Sequence, residues 1–207
     1  MSVAAVVSIG NRAETHWSAR ALLRAPYDEY RPAALLEHYR SRNGAHFFPV
    51  PDTDETQREK IDALLENRFE FNAETHELAE PIAWAHNPSS DLEWHILLHK
   101  WYYAVGLGMA YTDTGDACYL HKWLSLTTSW IAAAPPDFVV NETMRHDVAQ
   151  VTGRRIQNWI YAYYYFVTRN EQANVPVEFH DRFLVSLHEQ VEWLRVHLSP
   201  KGNHRTL

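Results

Sequence analysis

Residues 91–105 have the sequence DLEWHILLHKWYYAV, and this stretch decides the fold. Its large apolar side chains recur every three or four positions and form one stripe, which consists of Trp94, Leu97, Leu98, Trp101, Tyr102 and Val105. This period is typical of a helix that buries one face. We therefore predict a helical pattern from Asp91 onward, interrupted by a turn and cap at Asp113-Thr114-Gly115-Asp116.

The same pattern continues to the end of the chain. A second stripe runs from Tyr119 to Ile131 and is ended by Pro135-Pro136, and a third runs from Arg145 to Thr168. Pro176 opens a fourth helix, which Ser199-Pro200-Lys201-Gly202 closes. Long helices on short loops predict an all-α fold of antiparallel helical hairpins, arranged as a bundle or a toroid. Glycine is scarce and no strand pair is evident, which disfavours an α/β fold.

The first third of the chain is less regular. Two short helices are predicted in the first 45 or so residues, one of them opening after Pro32. A further helix is predicted from an N-cap at Asp52 to about Asn67. The alternating residues 68–72 predict a short extended piece, and residues 81–90 predict a loop.

Composition excludes several classes of protein. The 207 residues carry a net charge of −7, which disfavours nucleic acid and allows a polyanionic ligand only at a local cationic patch. Cys118 is the single cysteine, which excludes an internal disulfide and a cysteine-based zinc site. No apolar run reaches the roughly 18 residues of a membrane span. The apolar residues 1–10 lack a charged leading region and make a poor secretory signal.

Aromatic residues are abundant, with 8 Trp, 11 Tyr and 8 Phe beside 13 His, and a carbohydrate groove would use many of them. Arg155, Asn158 and Trp159 share one helix face, and Tyr163 lies one turn further. A guanidinium, an amide and two rings on one face suit an acidic sugar. The alternative is that the rings belong to the core.

A second polar and aromatic group includes Trp94, His95 and His99. The two histidines have the i, i+4 spacing of helical zinc ligands, but no HExxH motif accompanies them. We predict neither a metal site nor a cofactor. Trp94 and His95 are predicted to form the wall of a polar cleft, with internally bonded core histidines as the alternative.

Asn203 and His204 follow the last predicted helix, in a turn that Gly202 begins. An amide and an imidazole can both form hydrogen bonds to a ligand, but polar residues after a helix are also ordinary loop residues. Taken alone, a dipeptide is a weak signal.

The order of these signals resembles the N-terminal domain of the heparinase II/III-type polysaccharide lyases, over about residues 68–207. The matching pieces are WAHNP (84–88), EWHILLHKW (93–101), AYTDTGD (110–116), SWI (129–131), GRRIQNW (153–159) and GNHR (202–205). Each piece is modest, and their ordered set is fairly specific.

The resemblance implies an incomplete (α/α) toroid in residues 68–207, preceded by a separate segment 1–67 and followed in relatives by a β-sandwich domain. Such lyases cleave acidic polysaccharides, for example heparan sulfate and alginate, by β-elimination in the periplasm or outside the cell. Asn203 and His204 match the family's Asn and His, which face the uronate carboxylate. The family's catalytic Tyr, and a further His or Tyr, are expected beyond the end of this sequence. Two alternatives stay open: a non-catalytic module that binds acidic glycan, and a helical interaction protein.

Overall fold

The computed structural model describes residues 18–42, 49–133 and 142–198, with side chains from residue 149 onward in the last range. The helices in these ranges are α1 (Pro32–Arg40), α2 (Arg58–Leu64), α3 (Leu92–Lys100), α4 (Tyr102–Thr114), α5 (Ala117–Ala133), α6 (Glu142–Tyr163) and α7 (Val177–His197). Two strands are present, β1 (Arg68–Phe71) and β2 (Glu74–Glu77), and 3-10 turns lie at Ala19–Leu22 and Tyr27–Glu29. Within the described ranges, no helix has the length and apolar character needed to cross a membrane.

The predicted all-α fold of antiparallel helical hairpins is confirmed. Gly115 ends α4 with a φ of +71°, a conformation that glycine adopts without strain, and its N–H donates to the Tyr111 carbonyl. The chain then reverses into α5. Trp123 stacks on Phe166 at a centroid distance of 4.5 Å, and Trp130 meets Trp159 at 5.4 Å. The later residue of α5, Trp130, contacts the earlier of the two partners, Trp159. Helices α5 and α6 therefore run antiparallel.

Helices α6 and α7 form a second antiparallel pair. The α-helix ends at Tyr163 and is followed by a π-helical segment, Tyr164–Thr168. Pro176 is the residue before α7, as predicted. Tyr163 bonds to His180 near one end of the pair, and Arg155 bonds to Gln190 nearer the other.

The prediction that the chain has no strand pair was wrong. Strands β1 and β2 pair antiparallel, with Phe69 opposite His76 and Phe71 opposite Glu74. The turn between them consists of Asn72 and Ala73, both with positive φ. That conformation is usual in a two-residue hairpin turn. The pair most often found there is Asn-Gly, so the sequence Asn-Ala did not predict a hairpin. Phe69 and Phe71 are fully buried beneath the hairpin.

The predicted start of the helix after residue 52 was also wrong. Helix α2 begins at Arg58, and Asp52 serves a preceding turn instead. Its carboxylate accepts hydrogen bonds from the backbone N–H groups of Asp54 and Glu55. An aspartate that satisfies two such donors has the same sequence signature in a turn as at a helix N-cap.

The long helical pattern from Asp91 is broken at Trp101, a feature that the pattern did not reveal. Trp101 adopts φ 64° and ψ 30°, so α3 ends before it and α4 begins after it. A bulky residue in this left-handed region costs roughly 1–3 kcal/mol, which the surroundings must offset. The Trp101 ring is fully buried, stacked on Trp84 at 5.7 Å and edge-on to Trp159 at 5.4 Å.

Candidate functional site

Arg155 is buried in the middle of α6 and is bonded on every side. Its Nε donates to Gln190 Oε1 at 2.7 Å, and its terminal nitrogens donate to the His99 carbonyl at 3.3 Å and to Thr152 Oγ1 at 3.2 Å. The guanidinium carbon lies 4.3 Å from the centroid of the Trp130 ring. Burial lowers the pKa of Arg155 to about 9, so the group stays a cation at neutral pH.

These bonds explain how the break at Trp101 is held. A helix that ends leaves its last carbonyls without partners. Here the Leu98 carbonyl accepts from Tyr103 Oη at 3.1 Å, and the Lys100 carbonyl accepts from Asn158 Nδ2 at 2.7 Å. The His99 carbonyl between them accepts from Arg155. A buried cation at a helix C-terminus also complements the helix dipole. Arg155 and Asn158 therefore share a face, as predicted, and that face caps α3.

His95 and His99 point at one acceptor. The Nε2 atoms of both rings lie within 3.0 Å of the Trp84 carbonyl oxygen. Because a carbonyl only accepts, both Nε2 atoms carry the proton. His99 Nδ1 receives a hydrogen bond from Trp130 Nε1, which only donates, so His99 is a neutral imidazole.

Electrostatics agree with this protonation state. Burial, reinforced by His95 and Arg155 nearby, holds the pKa of His99 well below its usual range, and burial lowers the pKa of His95. The i, i+4 spacing therefore lets both histidines donate to the Trp84 carbonyl, and these two bonds hold the loop that carries Trp84. Among the described residues, no group of three or more His, Cys, Asp or Glu side chains is arranged to hold a metal ion.

The remaining predicted substrate-binding residues also make internal contacts. Trp94 is fully buried, and its Nε1 donates to the Glu74 carbonyl, which joins α3 to the hairpin. Trp159 is fully buried and stacks on Phe183 at 5.2 Å. Tyr163 Oη lies 2.8 Å from His180 Nε2. Burial raises the pKa of Tyr163 far above its usual value and lowers that of His180 to about 4.

The carboxyl end of α7 and the amino end of α3 lie at the same end of the molecule. Ile96 packs against Val151, while the Lys100 carbonyl meets Asn158, so α3 runs parallel to α6. Since α7 is antiparallel to α6, its last turn comes to the end where α3 begins. The loop before α3 is at this end and exposes His86, a residue of the WAHNP piece.

Asn203 and His204, the predicted catalytic pair, lie outside the described residues. The last described residue is Leu198, directly after α7. The structure brings Arg155, Asn158, Trp159, Trp94 and His95 into one continuous buried framework. Tyr163 lies further along α6, beside His180.

Comparison with known proteins gives consistent matches. The family model described as Heparinase II/III N-terminus matches residues 20–207. A heparin-sulfate lyase from Pedobacter heparinus is 28% identical over 204 residues, which is 90% of this chain and 29% of the relative. This chain thus spans less than a third of that relative's length.

Two solved structures show the same fold. Heparan sulfate lyase HepC from Pedobacter heparinus superimposes with a TM-score of 0.66 at 24% identity, over 84% of this chain and 29% of that one. A heparinase III gene product superimposes with a TM-score of 0.69 at 22% identity, over 90% of this chain and 32% of that one. The helical hairpins described above therefore form part of an (α/α) toroid.

Proposed function

The chain belongs to the heparinase II/III family of polysaccharide lyases, and from this we propose that it is the N-terminal catalytic-domain portion of an enzyme that cleaves uronic-acid-containing polysaccharide by β-elimination. The observation that carries the proposal is the family match, which extends through Asn203 and His204 to residue 207. The names of the relatives, a heparin-sulfate lyase and a heparan sulfate lyase, support an acidic glycan as substrate.

The proposed chemistry explains why an amide and an imidazole are needed. β-Elimination removes the weakly acidic proton at C5 of a uronate, next to the carboxylate, and builds up an enolate-like dianion. Donors aimed at that carboxylate stabilise the charge as an oxyanion hole does. The Asn203 amide donates without a charge of its own, and His204 donates when protonated or positions the base. A base takes the C5 proton, and an acid protonates the leaving O4.

We propose that the buried framework acts by holding the surrounding elements in place. Arg155 and Asn158 hold the break between α3 and α4, and His95 anchors the Trp84 loop. Trp94 joins the hairpin to α3, while Trp159 and Tyr163 pack α6 on α7. These contacts hold the interior of the toroid in a fixed shape, so we propose that Arg155, Asn158, Trp159, Trp94 and His95 are positioning residues for the substrate groove. Tyr163 supports them from further along α6, where it holds α6 on α7.

We propose that the enzyme acts where acidic polysaccharides occur, in the periplasm or outside the cell. This follows from the proposed substrate, because such polymers are components of surfaces and matrices rather than of the cell interior.

The test is product formation on a panel of polymers. The gene product that carries this chain is incubated with heparan sulfate, alginate and bacterial exopolysaccharides, and with a neutral glucan as the control. β-Elimination leaves a double bond in the uronide product, and this double bond absorbs in the ultraviolet. Hydrolysis forms no such double bond. We expect this absorbance with at least one uronate polymer and none with the glucan. Binding of the uronate polymers without any unsaturated product would contradict the enzyme and favour a binding module.

A further inference from the structure

A polar cleft of about 730 Å³ opens at the end of the molecule opposite to the start of α3. It lies where the carboxyl end of α4 meets the π-helical segment and the loop after it. The side chains that matter for its chemistry are Arg42, Tyr111, Tyr164, Arg169, Asn170 and Glu171. Its volume falls within the range of small-molecule sites. None of these residues belongs to the groove proposed above.

The cleft gathers positive charge on a protein of net negative charge. Arg42 and Arg169 are both exposed. Arg42 lies 5.7 Å from the Tyr39 ring centroid, and Arg169 lies 5.9 Å from that of Tyr165. In the part of the chain that the structure describes, neither guanidinium forms an ion pair with a carboxylate, whereas Arg58, Arg68 and Arg195 each do. Among the described residues that line the cleft, Glu171 is the one acidic side chain.

Hydrogen bonds hold the cleft in shape. Asn170 Nδ2 donates to Thr112 Oγ1 at 2.9 Å and to the Tyr165 carbonyl at 2.6 Å, which fastens the loop to α4 and to the π-helical segment. Arg40 donates to the Ala173 carbonyl at 2.7 Å and fastens the same loop to α1. Arg169 therefore extends from a braced loop, and Arg42 follows the helix to which that loop is fastened. A braced loop reduces the entropy that binding must overcome.

We propose that this cleft is a second acidic-sugar subsite, remote from Asn203 and His204. A guanidinium binds a carboxylate or sulfate through paired N–H donors, and the half-exposed rings of Tyr111 and Tyr164 suit the C–H face of a sugar. The ligand class rests on the proposed function, but the site itself does not take part in the elimination step. It binds a distant acidic unit of the same polymer or of another chain.

The test measures binding of uronate and sulfated uronate oligosaccharides to the 207-residue chain by calorimetry at low salt. Arg42→Gln and Arg169→Gln are each expected to weaken binding roughly tenfold, the loss of one charged hydrogen-bonding partner. Glu171→Gln is expected to tighten it, because a repelling carboxylate is removed. Arg182→Gln, at an exposed position on α7 outside the cleft, is the matched control and leaves the affinity unchanged. Unaltered circular dichroism verifies the fold of each variant.

The outcomes separate this site from the elimination chemistry. Equal affinity of the Arg42→Gln/Arg169→Gln double variant and the unmodified chain overturns the subsite, even if the gene product forms unsaturated uronide. Loss of affinity in the arginine variants supports the subsite, even if no unsaturated product is found with any polymer. Inorganic sulfate that competes as strongly as the oligosaccharides would overturn the assignment to a sugar.

Discussion

At the scale of single residues, Arg155 shows how an interior polar residue can resemble a binding residue in sequence. The helical spacing of Arg155, Asn158 and Trp159 correctly predicted a shared face. Sequence could not show that this face meets the broken end of α3, because the break depends on the burial of Trp101 among other tryptophans. The buried bonds of Arg155 lead to a clear expectation for stability.

Arg155→Met is expected to lower the free energy of unfolding by about 3 kcal/mol or more, since it removes the buried guanidinium that donates to Gln190 Oε1 and to the His99 carbonyl. The matched control is Arg154→Met, one position away on α6 and half-buried, where the side chain donates to Gln157 Oε1. We expect its effect to stay below about 1 kcal/mol. Urea unfolding of the two variants provides the comparison. Equal, small effects would mean that Arg155 does not brace the core.

The buried histidines predict how stability depends on pH. Burial lowers the folded-state pKa of His95, His99 and His180 below the unfolded value near 6.5. As pH falls below about 6.5, the unfolded chain therefore binds protons that the folded chain does not, and stability decreases. The limiting slope is about 1.4 kcal/mol per pH unit for each histidine.

Thermal unfolding between pH 7.5 and 5 measures this slope. His180→Gln is expected to reduce it, and His188→Gln, at an exposed position on the same helix, is expected to leave it unchanged. A flat stability profile across this range, or an NMR titration of His180 near pH 6.5, would contradict the burial of these rings as neutral groups.

At the scale of elements, the sequence predicted α5, α6 and α7 well, because their apolar stripes are long. Gly115 also marks the turn before α5, and Pro176 marks the start of α7. It missed the hairpin and the start of α2, where short segments depend on turn chemistry. Asn72 and Ala73 hold the hairpin turn with φ of 53° and 60°. Only glycine adopts such angles freely, so this turn carries strain that a substitution can release.

Ala73→Gly is expected to raise the free energy of unfolding by about 1 kcal/mol, because it relieves a left-handed alanine in an exposed hairpin turn. Ala34→Gly is the control, since Ala34 is exposed within α1, where glycine costs about 0.5–1 kcal/mol. Opposite signs in chemical denaturation are the predicted result. A loss of stability in both variants would show that the turn is not strained.

At the scale of the whole molecule, the fold was predictable because ordered helical hairpins with short loops allow few architectures. The candidate site was less predictable from the sequence. The six predicted substrate-binding residues lie in the interior, and the proposed catalytic pair lies outside the described residues. Residue type and spacing specify which groups are present, but burial decides whether they meet substrate or each other. The polar cleft around Arg42 and Arg169 was missed because its residues come from segments far apart in the sequence.

The central claim is that Asn203 and His204 neutralise the uronate carboxylate during elimination. The most direct measurement is the turnover number of the gene product carrying Asn203→Ala and His204→Ala, on the polymer that it degrades best. A control double variant, Asn174→Ala and His188→Ala, changes the same residue types at exposed positions. We predict that turnover of the Asn203/His204 variant falls by about 10²-fold or more, while that of the control is unchanged. Equal turnover of the two variants would contradict the account.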